Sequence, residues 1–155
     1  MQVNFLKKEE VAKIEKTLQE QYRVDFSLQS FSLFSIGNKI FLFSKDIEKI
    51  KEEILKIKIF SFGLFFGQFK KNKILLSLEG AQMVGKKAKK NVVLLNENSL
   101  RNFLLGFNVL DAKEFRCEPD AFLLLKYRGE IVGLGQKKKN YIENLTLKTK
   151  RLSHF

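Results

Sequence analysis

Phe31-Ser32-Leu33-Phe34-Ser35-Ile36-Gly37-Asn38-Lys39-Ile40-Phe41-Leu42-Phe43-Ser44 places two apolar-rich runs on either side of a Gly-Asn dipeptide. Gly37 and Asn38 tolerate positive φ, so the economical reading is a tight hairpin of strands at 31–36 and 39–44. Upstream, Val11, Ile14 and Leu18 recur at spacings of three and four among Lys, Glu and Gln, which predicts an amphipathic helix over residues 7–21. Downstream, Ser44 suits an N-cap. Ile47, Ile50 and Ile54 then predict a second helix to residue 56, followed by strands at 57–62 and 73–78. The first half therefore reads as mixed helix and sheet.

Residues 78–90 read as a short helix with Ala81, Val84 and Ala88 inward, leading to an apolar strand at 92–95 where a second unit starts. Leu100, Phe103 and Leu104 give residues 97–105 helical spacing, and Gly106 supplies the stop. Short strands follow. Among them, 121–127 and 130–134 face each other across Arg128 and Gly129, and a last strand runs from 142 to 151. Alternation in that strand assigns Leu145 and Leu147 to a packed face, and Thr146, Lys148 and Lys150 to a basic one. The fold class is α+β, with no Pro-, Gly- or Ser-rich linker and no repeat.

The chain has 155 residues, enough for one average domain or two small ones, and its 16 Phe exclude a disordered chain. Apolar runs such as residues 121–125 fall far short of the roughly 20 residues a membrane-spanning helix needs. Charge at Lys7, Lys8, Glu9 and Glu10 precedes any hydrophobic signal core, which predicts a cytoplasmic protein. A net charge of +12 points toward a polyanion. That charge is concentrated. Residues 67–91 hold seven basic side chains against Glu79 alone, and residues 136–155 hold six against Glu143 alone.

Catalytic chemistry has little foundation. His154 is the single histidine and is penultimate, while Cys117 is the single cysteine and suits a small buried hydrophobe better than a nucleophile. The pairs Glu9/Glu10 and Glu52/Glu53 point roughly 100° apart on helices and do not converge. The stretch from Gly80 through Gly85-Lys86-Lys87 approaches a phosphate-binding loop, but Lys87 stands where a Mg²⁺-ligating Ser or Thr is required. Gly133-Leu134-Gly135 lacks the third glycine of a dinucleotide fingerprint. No metal and no cofactor is expected.

The basic residues fall into two blocks: Lys70, Lys71, Lys73, Lys86, Lys87, Lys89 and Lys90, then Lys137, Lys138, Lys139, Lys148, Lys150 and Arg151. Lysine acts as a point charge toward phosphate, so this composition predicts backbone contacts more than base reading. A solubilising surface is the competing reading. Tyr141, beside the triple lysine, suits base stacking or a core position.

Gly63-Leu64-Phe65-Phe66-Gly67-Gln68-Phe69-Lys70-Lys71-Asn72-Lys73-Ile74-Leu75-Leu76 resembles a motif of ribosome-biogenesis factors of the Nip-seven type, with Gln68 where that family carries Lys. Ala88-Lys89-Lys90-Asn91-Val92 is similar to the family's domain junction. Glu97, Phe103-Leu104-Leu105-Gly106 and Val109-Leu110 resemble its next segment, and Val132-Gly133-Leu134-Gly135 resembles a glycine pair recurrent in PUA domains. The resemblance implies a mixed α/β pre-PUA domain over residues 1–90, with an antiparallel sheet and flanking helices. A small β-rich, barrel-like PUA domain over residues 91–155 would follow.

It also implies a non-enzymatic, RNA-binding factor in pre-rRNA processing and large-subunit assembly, monomeric by itself, acting beside the exosome or other assembly proteins, and nucleolar in a eukaryote. The RNA-binding residues expected are Lys137, Lys138, Lys139, Lys148, Lys150, Arg151, Gly133 and Gly135, with Lys70, Lys71 and Lys73 on an adjoining surface. Two alternatives stay open: a PUA subunit that delivers RNA to a modifying complex, and a protein-interaction adaptor with a solubilising lysine surface.

Overall fold

The structure, a computed structural model, describes residues 3–45, 63–110, 113–115 and 117–146. The expected helix through Ile47, Ile50 and Ile54 and the strand at 57–62 lie outside these residues, as do Lys148, Lys150, Arg151 and His154. Packing divides the chain into two units, Met1–Glu20 with Asp25–Gly80, and Gln21–Val24 with Ala81–Phe155.

The first unit is built on five antiparallel strands in the order β1 (Val3–Phe5), β2 (Phe31–Ile36), β3 (Lys39–Ser44), β4 (Leu64–Lys70) and β5 (Lys73–Leu76). The β2–β3 hairpin spans the expected residues. Gly37 takes φ 60° and admits the reversal, while the Asn38 amide donates to Phe69 O at 3.0 Å and ties the turn to β4. One sheet face carries Leu33, Ile40, Leu42, Ile74 and Leu76, all buried. Helix α1 (Lys8–Tyr22) buries Ile14 and Leu18, and its Glu15 carboxylate accepts Leu28 N at 2.8 Å.

Periodicity leaves β4 unassigned, because Phe65, Phe66 and Phe69 do not alternate with polar residues. Its pairing with β3 shifts register between Ile40 and Phe41, which sends Phe65 to one face against Phe41 and the buried Phe66 toward Phe26. Gly67 is required by space, since a Cβ there would lie 2.8 Å from Leu75 O. Strand β5 stops two residues before the expected limit. The Ser77 hydroxyl donates to Phe65 O at 2.6 Å and accepts Gly80 N at 2.9 Å, so it caps helix α2 (Leu78–Gly85) rather than extending the ladder.

Helix α2 ends at Gly85, short of residue 90, because the following backbone turns elsewhere: Lys89 N and Lys90 N both donate to Tyr22 O, at 2.9 and 3.1 Å. Ala81 and Val84 are buried as expected, whereas Ala88 lies beyond the helix. The Tyr22 hydroxyl, fully buried, accepts from the Gln21 amide at 2.9 Å, and burial pushes its pKa well above the usual phenol range.

The second unit holds a sheet in the order β10 (Ile142–Asn144), β9 (Glu130–Lys137), β8 (Phe122–Tyr127), β6 (Val92–Leu94) and β7 (Lys113–Phe115). Strands β6 and β8 are parallel and the other pairs antiparallel. The β8–β9 hairpin turns through Arg128 and Gly129, at φ 46° and 85°. Helix α3 (Glu97–Leu104) starts in a reciprocal cap: Asn96 Oδ1 accepts Ser99 N at 2.8 Å, and Ser99 Oγ accepts Asn96 N at 2.9 Å. Gly106, at φ 100°, ends it. Val93, Leu95, Phe103, Val109, Leu123, Leu125 and Ile142 form the core, with Cys117 packed against it. The cysteine thus behaves as a small hydrophobe, its Sγ 3.9 Å from Val92 O.

Beyond β10 the expected alternation is reversed. Ile142, Asn144 and Thr146 are buried and Leu145 is half-buried, so Thr146 lies on the packed side and not the exposed one. A polar network explains this. The Asn144 amide donates to Phe103 O at 2.8 Å and Phe107 O at 3.1 Å, and its Oδ1 accepts Thr146 N at 2.9 Å.

Candidate nucleic-acid interface

Strands β9 and β10 end in a short turn in which Lys138 N donates to Tyr141 O at 2.9 Å. This turn carries the triple lysine. Lys137 sits in the last ladder pair, opposite Ile142, and Lys138 is 3.6 Å from the Glu143 carboxylate. Lys139, Asn140 and Tyr141 are exposed. The pairing of β9 with β10 therefore lifts two lysines and an aromatic ring to the tip of one hairpin, an arrangement suited to phosphate contact beside a stacking ring.

Gly133 and Gly135 do not share that surface. Both are buried in β9, and side chains of the same unit fill the space beside them. A Cβ on Gly133 would run into the Phe103 ring, and one on Gly135 into Ile142. In the sheet Gly133 lies opposite Leu125 of β8, while Gly135 has a partner on each side, Leu123 of β8 and Asn144 of β10. The missing side chains thus serve internal packing. Gly133→Ala should cost about 2 kcal/mol of stability through overpacking, read as a lower midpoint in chemical denaturation; an unchanged midpoint would contradict this packing role.

The first basic block is divided. Lys70, Lys71 and Lys73 lie in the first unit at the β4–β5 turn, whereas Lys86, Lys87, Lys89 and Lys90 lie in the second. Lys90 forms an ion pair with Glu118. At the β4–β5 turn, Lys71 takes φ 58° and Lys70 pairs with Lys73. The register adds a residue that sequence reasoning missed: Lys39 is opposite Gln68, so Lys39, Gln68, Lys70 and Lys73 share one sheet face. Its only sequence signal was its place beside the Gly37-Asn38 turn.

Asn91 was also missed. It is 1 % exposed at φ 57°; its amide donates to Gln21 O at 2.7 Å and its Oδ1 accepts Glu118 N at 3.1 Å. Asn is among the few residues that adopt this backbone while offering both a donor and an acceptor. Among the described residues, no group of three or more His, Cys, Asp or Glu could hold a metal ion, and no helix is long and apolar enough to cross a membrane.

An antiparallel α+β unit followed by a sheet-based second unit is the fold class of a pre-PUA domain joined to a PUA domain. The chain is similar to a conserved PUA domain protein from Thermoplasma acidophilum, at 11% identity and a TM-score of 0.63, covering 94% of this chain and 93% of that one. It is likewise similar to a hypothetical protein from the hyperthermophilic archaeon Pyrococcus horikoshii OT3, at 10% identity, a TM-score of 0.58 and 93% coverage of each. Residues 4–78 match the family described as NIP7/UPF0113, pre-PUA domain. Residues 4–78 thus resemble the pre-PUA domain of that family, and the chain as a whole shares its fold with PUA domain proteins. No curated protein matches the chain.

Proposed function

We propose that this protein is a non-enzymatic RNA-binding factor acting in pre-rRNA processing and large ribosomal subunit assembly. The carrying observation is the exposed turn after β9, where Lys138, Lys139 and Tyr141 stand together at a hairpin tip. Lys137 adds positive charge to this grip, and the Lys39, Lys70, Lys71 and Lys73 surface offers a second basic contact; Lys148, Lys150 and Arg151 are the remaining RNA contacts of this reading. The pre-PUA match supports the assembly role, and the exosome or other assembly proteins are the protein partners this reading names. In this reading, residues 1–90 and 91–155 work as two domains, the protein is monomeric by itself, and it is cytoplasmic, or nucleolar in a eukaryote.

Binding through phosphates has a quantitative signature. If about four phosphates are neutralised on single-stranded RNA, a fourfold rise in salt should weaken binding about 50-fold, at a slope near 0.7 per contact. Fluorescence anisotropy with a short single-stranded RNA and its matched DNA reads this directly. Salt-sensitive binding that prefers RNA is the expected result; no binding at low salt would leave the lysines as a solvated surface.

A further inference from the structure

Lys86, Lys87 and Lys89 follow helix α2, all three exposed and none of them part of the two RNA-facing groups above. The fold adds two cations from elsewhere in the second unit. Lys89 N and Lys90 N both donate to Tyr22 O, which sets the exposed Arg23 beside Lys89. At the other end, Gly85 rests on the Ile131 side chain, and the Gln82 amide donates to Ile131 O at 3.3 Å, fixing the end of α2 against β9. Ile131 lies opposite Lys126 in the β8–β9 ladder, so the half-buried Lys126 shares that sheet face, next to Lys86. Glu130 lies opposite Tyr127, one residue further along, and belongs to the other face.

Arg23, Lys86, Lys87, Lys89 and Lys126 thus border one stretch of surface, and among the described residues no carboxylate pairs with any of them. Like charges gathered in this way repel one another, so an anion lying across them relieves the repulsion. The anion already at the edge of this surface is a carboxylate. Glu118 pairs with Lys90, and its backbone is held in place by Asn91, whose Oδ1 accepts Glu118 N at 3.1 Å. The uncharged neighbours are aliphatic: Ala88 between Lys87 and Lys89, and Leu94 opposite Lys126, both half-buried. No aromatic ring stands among the five cations to stack a base, since Tyr127 lies on the opposite face under Arg128. Carboxylates spaced by short apolar groups therefore fit this surface better than nucleotides.

We propose that this surface docks an acidic segment of a protein partner, rich in Glu or Asp with small aliphatic residues between them. Its carboxylates pair with Arg23, Lys86, Lys87 and Lys89, and its aliphatic groups cover Ala88 and Leu94. Complementary charge of this kind steers encounter and fixes the register of the docked segment. The docking surface is independent of the RNA reading: the lysines at 86–89 take protein, whereas those at 137–139 take RNA.

The test uses the full chain and three fluorescein-labelled probes: a short peptide of Glu spaced by Ala, the same peptide with Gln for each Glu, and a short single-stranded RNA. Two charge-reversed variants are compared, Lys86→Glu, Lys87→Glu and Lys89→Glu together, and Lys137→Glu, Lys138→Glu and Lys139→Glu together. Both change the net charge equally, so a difference between them reports position and not overall charge. The first should bind the Glu peptide about tenfold more weakly and keep its RNA affinity within about twofold, while the second should keep the peptide. The Gln peptide should not bind. Melting temperatures should hold, because exposed charges contribute little to stability, and the neutral set Lys86→Gln, Lys87→Gln and Lys89→Gln should show a smaller loss in the same direction. Joint loss of peptide and RNA by the 86–89 variant would assign the surface to RNA, and equal weakening of the peptide by both variants would reduce the attraction to net charge. Either result overturns the docking surface, as does a Glu peptide that binds the unaltered chain no better than its Gln counterpart. Failure of the unaltered chain to bind RNA, with the peptide still bound through 86–89, overturns the RNA reading alone.

Discussion

Asn91→Ala should destabilise the second unit by about 4 kcal/mol, more than Gly133→Ala. Removing the amide leaves Gln21 O and Glu118 N without their partners, and each orphaned buried group costs about 1–3 kcal/mol. Alanine at φ 57° adds about 1 kcal/mol of left-handed strain. Asn91→Gly separates the contributions. Glycine loses both hydrogen bonds but tolerates the backbone, so in urea denaturation it should fall between the parent and the alanine variant. Equal stability of parent and alanine variant would show that the hydrogen bonds of Asn91 do not stabilise the second unit.

Changing Lys137, Lys138 and Lys139 together to Glu should weaken single-stranded RNA binding on the order of 100-fold at low salt and reduce the salt slope by about 2. Three positive charges are lost at one hairpin tip and three negative ones replace them, next to Glu143. Stability should change by less than about 1 kcal/mol, because a surface pair such as Lys138–Glu143 contributes little. Anisotropy titrations at two salt concentrations, with a thermal melt of each protein, check both halves. Unaltered affinity at unaltered slope would move the RNA site away from this turn, toward the Lys39, Lys70, Lys71 and Lys73 surface.

Elements whose signals are local could be read from the residues. The β2–β3 hairpin announces itself in equal apolar runs about Gly37-Asn38, α1 in the spacing of Ile14 and Leu18, and α3 in Leu100, Phe103 and Gly106. Strand β4 was hidden. Its residues do not alternate, and the register shift that sorts Phe65 from Phe66 exists only once β3 lies beside it. Segment 142–146 failed for a related reason: Leu145 is the more apolar residue, yet the hydrogen bonds of Asn144 set which side faces inward. Gly133 and Gly135 stand out as a pair in the sequence, but only the position of the Phe103 ring shows what Gly133 makes room for.

The candidate surface divides in the same way. Charge and periodicity are properties of neighbours along the chain, so an α+β chain with its positive charge held in two blocks is legible from the residues. Tertiary contacts make the first block shared between two units, set Lys39 beside Lys70 and Lys73, and bring Leu110 opposite Tyr141. Those groupings depend on strand register and on a bridge between residues 33 positions apart, Val109 and Ile142, and pairing across that separation leaves no periodic trace in either segment.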